Sequence, residues 1–312
     1  MNMSRPLVTG AGGFIGFNLA LALSEQTDCE YVYVLDLPQQ RRLEHFRKNK
    51  KFKVIEADLC MASGFDLLPM DVSHVFALAA LNGTSRFYSN PYTVLMGSSL
   101  PTLAILNRYS KTTPITYTSS SEVYASTVDL FGWRVPTPED VPVSISDVHN
   151  PRWSYAAAKL FGEIALTSAI KEHAGKGVIV RYHNVYGKNM GTDHFVPDFV
   201  NRVREGKKIV FGANQTRSFL HISDAIDGTI RAAQVASADV PIFHLGSNRE
   251  LSILDAAKII LELLHEDSSD LVVRDAPEGS VSRRCPDTSL AKQVLNWEAL
   301  KTFEEGISEY LS

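Results

Sequence analysis

The chain has 312 residues, 45% of them hydrophobic, and 31 basic and 35 acidic residues give a formal net charge of −4. This length forms one large or two modest domains, and the lack of basic excess argues against nucleic acid or an anionic membrane as a partner. The three cysteines are Cys29, Cys60 and Cys285; they are odd in number and far apart, which predicts neither a disulfide framework nor a metal site. With no signal-peptide pattern and no apolar run of membrane length, we expect a cytoplasmic protein.

The first half of the chain alternates β-rich runs with amphipathic helical patterns. The predicted strands are residues 7–9, 31–36, 53–56, 74–78, 115–118 and 178–181, and the predicted helices are 14–24, 91–109 and 155–173. This alternation predicts an α/β fold with a parallel sheet. After residue 186 the pattern changes, with predicted helices at 195–204, 222–233, 253–264 and, more weakly, 290–297, and one predicted strand at 208–211.

A glycine-rich turn follows the first predicted strand. Gly10, Gly13 and Gly16 lie where the strand turns into a helix. Glycine tolerates the backbone angles of such a turn and allows a pyrophosphate to approach the helix N-terminus. Asp36 ends the next predicted strand, where an acid would hydrogen-bond ribose hydroxyls and repel a 2′-phosphate. The pattern predicts a dinucleotide site that binds NAD rather than NADP.

A hydroxyl-rich strand end and a tyrosine–lysine pair form a candidate catalytic set. The predicted strand 115–118 continues into three serines, residues 119–121, and Tyr155 and Lys159 share one face of a predicted helix. An ammonium beside a phenol favours the phenolate and lowers the pKa of the tyrosine. With a serine hydroxyl on the same substrate oxygen, this set predicts a base that removes a hydroxyl proton while hydride leaves for a nicotinamide.

These motifs, in this order, resemble those of the extended short-chain dehydrogenase/reductases, specifically the NAD-dependent nucleotide-sugar epimerases, dehydratases and decarboxylases. The resemblance covers nearly the whole chain. Its segments are 9–16, 36, 58–59, 78–80, 119–124, 155 with 159, 181 with 184–187, and 217–224. It implies a Rossmann-type doubly wound parallel sheet over residues 1–181, to which 218–240 returns, and a smaller C-terminal α/β substrate domain over 182–312. It also implies bound NAD, a 4-keto sugar intermediate, and a homodimer formed through the helices at 91–109 and 155–173.

The resemblance implies roles for single residues. Tyr155 is the expected base with Lys159 as its partner, Ser120 is the expected catalytic hydroxyl, and Glu122 is a further catalytic candidate. Besides the three glycines and Asp36, the residues implied at the cofactor are Phe14, Ile15, Asp58, Leu59, Leu78, Ala79, Ala80, Tyr155 and Lys159. The residues implied at the substrate are Asn82, Ser121, Asn184, Arg217 and Arg284, since an arginine fork suits a diphosphate.

Glu122 leaves the reaction open. It ends the triplet before Val123-Tyr124, which here reads Ser120-Ser121-Glu122. The triplet resembles Thr-Asp-Glu in the dehydratases and Thr-Ser-Glu in the UDP-glucuronate decarboxylases, and Ser-Ser-Glu also occurs in 4-epimerase-like members. We therefore expect 4-epimerisation first, with decarboxylation, dehydration or 4-dehydrogenation as alternatives. A binding module that holds NAD without turnover is the alternative from another class, although Tyr155 and Lys159 are both present.

Overall fold

The computed structural model describes residues 3–276 and 280–312. The strands of these residues are β1 (Pro6–Thr9), β2 (Val32–Asp36), β3 (Phe52–Glu56), β4 (His74–Ala77), β5 (Ile115–Ser120), β6 (Gly177–Tyr182), β7 (Val185–Tyr186), β8 (Ile209–Phe211), β9 (Thr216–Ser218), β10 (Leu220–His221), β11 (Ile242–Leu245), β12 (Glu250–Ser252), β13 (Val272–Arg274) and β14 (Arg283–Arg284). Their helices are α1 (Phe14–Ser24), α2 (Leu43–Arg47), α3 (Ala62–Phe65), α4 (Thr84–Ser89), α5 (Pro91–Tyr109), α6 (Ala125–Phe131), α7 (Trp153–His173), α8 (Phe195–Arg204), α9 (Ile222–Gln234), α10 (Ile253–Leu263), α11 (Ser289–Leu295) and α12 (Phe303–Leu311). A 3₁₀ turn over Ser121–Tyr124 joins β5 to α6.

Seven parallel strands form the central sheet in the order β11-β6-β5-β4-β1-β2-β3. Successive side chains of a strand face opposite sides of a sheet. Leu7 accordingly packs with α5 and α7 on one face, whereas Val8 packs with α1 and α9 on the other. The predicted Rossmann-type, doubly wound parallel sheet is confirmed. In the described part of the chain, no helix has both the length and the apolar character needed to cross a bilayer.

The sheet contains one strand that the sequence patterns did not indicate. β11 pairs with β6, so that Ile242 lies opposite Ile179 at the sheet edge. Its four residues include His244 and are too few to show a clear period. Together with α9, β11 returns the chain to the sheet, and this return extends to Leu245, beyond the predicted limit at residue 240. The division into two domains otherwise stays a prediction.

The second part of the chain forms small sheets around its own core. β12, β9 and β14 make one sheet, and β13 pairs with β8. Helices α8, α10 and α12 bury Phe199, Ile260 and Phe303 in a common cluster. Apart from β8, which was predicted at 208–211, these short strands were not predicted from the sequence, because two- or three-residue strands leave no readable alternation; α12 was not predicted either. Arg284 of β14 lies in register with Arg217 of β9, so these distant arginines occupy neighbouring strands.

Candidate active site

The glycine turn between β1 and α1 forms a tight backbone loop. Gly10 has φ of +70°, in the left-handed region that favours glycine. A Cβ on Gly16 would lie 2.2 Å from the Gly10 carbonyl oxygen, so any larger residue would push the helix away from the turn. A Cβ on Gly12 would lie 2.6 Å from the Gln40 side chain and 3.1 Å from Asp36 Oδ2. The glycines therefore allow the helix and the end of β2 to pack closely against the turn, which holds the helix N-terminus at the sheet edge where a dinucleotide would bind.

Asp36 lies beside this turn, as predicted. Its Oδ2 accepts the Gly12 N–H at 2.8 Å, and its Oδ1 accepts the Leu37 N–H at 2.7 Å. Burial raises the pKa of the Asp36 carboxyl, while the hydrogen bonds from Leu37 and Gly12 oppose that rise. Each carboxylate oxygen keeps a second lone pair for a ribose hydroxyl.

The third and fourth strands complete the cofactor side of the cleft. A cavity of about 300 Å³ at the ends of β2 and β3 is lined by Leu37 and Asp58, among others, which suits the expected adenine position. The Leu59 side chain instead belongs to the hydrophobic core. The N–H groups of Leu78 and Ala79 donate to Thr9 Oγ1 at 3.1 and 3.2 Å, which holds this segment close to the glycine turn.

Three other predicted cofactor residues border the same region. Phe14 and Ile15 are half-buried at the start of α1 and pack against the core of that sheet face, and Ala80 is half-buried just past β4. All three lie on segments that follow a strand of the parallel sheet at its carboxyl end. That edge is where ligands bind in open α/β sheets.

The three serines after β5 have different surroundings. Ser119 is buried and its Oγ donates to Glu163, so this hydroxyl already has a partner inside the protein. Ser121 is 2% exposed. Ser120 is half-buried, and its Oγ accepts the Glu122 N–H at 3.3 Å at the start of the 3₁₀ turn. Of the three, the Ser120 hydroxyl is therefore the one best placed for a ligand.

Tyr155 and Lys159 lie on one face of α7, one turn apart. The Lys159 ammonium donates to the Thr118 carbonyl at 2.8 Å and lies 5.7 Å from the centre of the Tyr155 ring. Burial lowers the pKa of Lys159 to about 8, although the charge of Glu163 opposes this. The ring of Phe87, in α4, stacks on the ring of Tyr155, with 5.2 Å between the ring centres and an interplanar angle of 14°.

The pKa of Tyr155 differs from the sequence-based expectation. Burial and the negative charge of Glu122 raise it above the ordinary value, whereas the spacing to Lys159 predicted a lowered value. The reason is geometric: Lys159 directs a hydrogen bond at Thr118, and desolvation of the phenol dominates. The phenol of Tyr155 is therefore neutral in this arrangement, and it needs positive charge closer than the present position of the Lys159 ammonium to act as a base.

Glu122 lies between two arginines. Arg284 Nη1 contacts its Oε1 at 2.7 Å and Arg152 Nη2 contacts its Oε2 at 3.3 Å. Burial penalises the charged carboxylate, but the positive charges of Arg284 and Arg152 outweigh it and hold the pKa of Glu122 below its usual range. Glu122, whose side chain is 15% exposed, is therefore a mostly buried carboxylate that stays ionised.

The arginines around Glu122 have donors to spare. Arg284 and Arg152 are each 7% exposed, and the buried Arg284 Nε and Nη2 and Arg152 Nε have no hydrogen-bond partner among residues 3–276 and 280–312. Arg217 donates to the Thr216 carbonyl at 2.8 Å and to Gln215 Oε1 at 3.1 Å. Burial and the nearby charge of Arg284 lower the pKa of Arg217 to about 9. Buried cationic donors of this kind suit an anionic ligand.

Arg152 was not predicted from the sequence. It immediately precedes α7, with Glu122 on one side and the Trp153 ring 5.5 Å from its guanidinium. A cation at a helix N-terminus is unfavourable, because it opposes the helix dipole. The position of this arginine between Pro151 and Trp153, next to a predicted helix, was therefore the one sign in the sequence of a functional role.

The remaining predicted substrate residues lie on two sides of the cleft. Asn184 has φ of +37°, and its Nδ2 donates to the Ser218 carbonyl at 2.9 Å, which ties the end of β6 to β9 next to Arg217. Asn82 is exposed and its Oδ1 accepts the Gly83 N–H at 2.8 Å, so its side chain caps its own turn. The structure thus brings Asn184 to the arginines, while Asn82 lies at the loop that leads into α4.

A glycine-rich strand–turn–helix unit and a Ser/Tyr/Lys set lie at one edge of a parallel sheet, the edge where α/β enzymes bind dinucleotides, and this defines the class of protein as a dinucleotide-dependent α/β enzyme. The chain belongs to the NAD dependent epimerase/dehydratase family, whose model matches residues 6–246. It is therefore an NAD-dependent enzyme of the nucleotide-sugar epimerases, dehydratases and decarboxylases, and its cofactor is NAD.

Three similar proteins illustrate the family. UDP-glucuronic acid decarboxylase 1 of Arabidopsis thaliana is 28% identical over 319 residues, which cover 99% of this chain and 69% of that protein. The crystal structure of a UDP-galactose 4-epimerase matches with a TM-score of 0.81 at 25% identity, over 98% of this chain and 97% of the other. That of the UDP-glucuronic acid 4-epimerase from Bacillus cereus, in complex with UDP-glucuronic acid and NAD, has a TM-score of 0.84 at 24% identity, with the same coverage, and shows the shared fold.

Proposed function

We propose that this chain decarboxylates a nucleoside diphosphate uronic acid through a 4-keto intermediate. The observation that carries the proposal is the buried, ionised Glu122 held between Arg284 and Arg152 beside the Tyr155 base. The names of relatives such as the Arabidopsis UDP-glucuronic acid decarboxylase support the same reaction. This choice departs from the sequence-based order of expectations, in which 4-epimerisation came first.

The first step is oxidation at C4 of the sugar. Tyr155 removes the proton of the 4-hydroxyl, Ser120 donates a hydrogen bond to the same oxygen, and Lys159 stabilises the phenolate. When bound, NAD supplies a reversible acceptor for the C4 hydride. The Phe87 ring covers one face of Tyr155 and excludes water from it.

The second step breaks a carbon–carbon bond. A 4-keto sugar with a carboxylate on C5 is a β-keto acid, so the electrons of the C5–carboxylate bond move into the C4 oxygen as carbon dioxide leaves. The hydroxyls of Ser120 and Tyr155 stabilise the resulting enolate. C5 then takes a proton from solvent through a water molecule that donates a hydrogen bond to the ionised Glu122, and C4 regains its hydride while Tyr155 returns the proton to the oxygen.

4-Epimerisation is the second candidate. The likeness to a UDP-galactose 4-epimerase at 25% identity favours it, and Ser120, Tyr155 and Lys159 suffice for its oxidation and reduction steps. It makes no use of a buried glutamate between arginines, which is why we rank it second.

The test uses purified protein with NAD and UDP-glucuronate labelled with ¹³C in the carboxyl group. We expect labelled carbon dioxide and a nucleotide pentose by NMR, and we expect Glu122→Gln to lose carbon dioxide release. Glu250→Gln is the matched control, since Glu250 lies on β12, beside the strand that carries Arg217, and pairs with Arg283, which alternates with Arg284 on β14 and so faces the other side of the sheet. A nucleotide galacturonate without carbon dioxide would establish epimerisation instead, and no product from any uronate would refute decarboxylation.

We also propose that the chain is a cytoplasmic homodimer formed through α5 and α7. These helices pack on each other and still expose Leu103, Phe161 and Ile164, with Ile164 at 59%. Light scattering should give twice the mass of one chain, and Ile164→Glu should shift the protein to monomer. A monomer for the unaltered protein at working concentration would refute the dimer.

A further inference from the structure

We infer that Arg152 recognises the carboxylate of the sugar and thereby sets the preference for uronic acids over neutral sugars. The inference rests on the proposed function for the substrate class only, and it applies equally if the reaction on a uronate is an epimerisation. Arg152 has not been assigned a role by any motif above; its position and its charge assign one.

The charges around Glu122 do not balance. Arg152 and Arg284 bring two positive charges into a buried locus, and Glu122 brings one negative charge. Arg217, whose charge also acts on Glu122, donates to the Thr216 carbonyl and to Gln215, and we assign its charge to the diphosphate. The Arg152–Glu122–Arg284 group therefore lacks a single negative charge, which a carboxylate supplies and a neutral hydroxymethyl group does not.

The two arginines beside Glu122 also carry unpaired hydrogen-bond donors. Arg152 Nε, Arg284 Nε and Arg284 Nη2 are buried, and none of them has a partner among the described residues. A carboxylate has two oxygens that accept charge-assisted hydrogen bonds from guanidinium groups. Glu122 occupies one edge of each guanidinium, so the substrate carboxylate would complete an alternating arrangement of two cations and two anions.

The spacing of Arg152 and Tyr155 at the start of α7 matches that of two neighbouring substituents on the sugar ring. Arg152 and Tyr155 are three residues apart at the start of the helix, so their side chains project from neighbouring positions. Tyr155 acts on the hydroxyl of C4, and the carboxylate of a uronic acid is attached to the adjacent ring carbon, C5. The helix thus places a base and a guanidinium next to one another, as the two neighbouring substituents of the sugar require.

The surroundings of Arg152 fix its guanidinium. Its Cζ lies 5.5 Å from the centre of the Trp153 ring, and Trp153 packs in a buried cluster with Ala125, Ala156 and Val281. A cation at this end of α7 is unfavourable to the helix dipole. Both features are understandable if the arginine is held for a ligand rather than for the stability of the helix.

The test measures binding of UDP, UDP-glucose and UDP-glucuronate to the NAD-loaded protein by calorimetry. We expect the native protein to bind UDP-glucuronate about 10- to 100-fold more tightly than UDP-glucose. Arg152→Gln should remove this difference and leave the affinity for UDP unchanged. Arg217→Gln should weaken all three ligands alike, and Arg134→Gln, which alters an exposed arginine paired with Asp140, should change none.

Each outcome has a defined meaning. A retained uronate preference in Arg152→Gln would overturn the inference, as would equal binding of UDP-glucose and UDP-glucuronate by the native protein. A uronate preference that depends on Arg152, without release of carbon dioxide, would refute the proposed decarboxylation and leave this inference standing. If Arg152→Gln does not fold, Arg152→Lys replaces it, because lysine keeps the positive charge but lacks the bidentate guanidinium. Arg152→Lys should reduce the preference for UDP-glucuronate over UDP-glucose several-fold. An unchanged preference would also overturn the inference.

Discussion

The two sides of the cleft are built in different ways. The cofactor side is built mainly from the ends of the consecutive strands β1 to β4, where glycines and backbone groups form the glycine turn and its neighbours. The substrate side assembles Glu122, Arg152, Arg217 and Arg284 from four separate segments of the chain. Backbone recognition leaves a fixed spacing in the sequence, whereas a cluster of side chains exists only once the segments have folded together.

The largest effect is expected where the two sides meet, at Tyr155. Tyr155→Phe should lower kcat by about 10³-fold, because it removes the proton acceptor, while NAD stays bound. Tyr92→Phe, on the exposed face of α5, is the control and should keep full activity. Steady-state rates and NAD titration measure both quantities; near-native turnover of Tyr155→Phe would disprove the assigned base.

A second prediction concerns the backbone-built side. Gly16→Ala places a Cβ 2.2 Å from the Gly10 carbonyl oxygen, so it should reduce the free energy of unfolding by about 1–3 kcal/mol and weaken NAD binding. Gly191→Ala introduces a Cβ with no atom within 4 Å and should be neutral. Thermal melts with and without NAD would compare the two; equal behaviour would contradict the close packing at Gly16.

Asp36 tests cofactor choice on the same side. Asp36→Ala should weaken NAD about tenfold by removing ribose hydrogen bonds, and it should narrow the discrimination against NADP because the repelling charge is lost. Competitive binding of NAD and NADP gives the ratio. If the native protein already prefers NADP, the role given to Asp36 is wrong.

The smallest effect is a pH dependence at Lys159, because burial lowers the pKa of its ammonium to about 8 from its ordinary value of 10.5. The rate should fall as the pH rises above about 8, because the ammonium that stabilises the phenolate is lost. Stability moves the other way: between about 8 and 10.5 the unfolded chain binds more protons at this site, so the Lys159 contribution to the free energy of unfolding increases with pH. Lys159→Met should be nearly inactive and lack this increase; the same rise in both proteins would assign it to another group.

The sequence predicted the cofactor side in some detail. Helices α1, α5 and α8 have the predicted ends, and the glycine turn, Asp36 and the Tyr155–Lys159 pair lie where their spacing placed them. These features are local, because the period of a helix or a strand–turn–helix unit depends on neighbours in the chain.

The features that were not predicted depend on distant partners. β11 is a strand only because it pairs with β6, and β14 has two residues that pair with β9. Arg152 carries no motif, and its meaning comes from Glu122, thirty positions away in the chain. The pKa of Tyr155 also escaped sequence analysis, since desolvation is a property of the folded interior.

The 3₁₀ turn after β5 fixes the distance between two polar groups of the proposed substrate site. Ser120 caps the turn through the Glu122 N–H, so the hydroxyl for the C4 oxygen and the carboxylate among the arginines are two residues apart in one rigid loop. Their separation is set by covalent geometry and does not change if the two parts of the chain move relative to each other. The turn therefore fixes the distance over which a ligand is recognised. A ligand whose charged group lies one atom too far from its reacting hydroxyl cannot contact both the Ser120 hydroxyl and the arginines around Glu122.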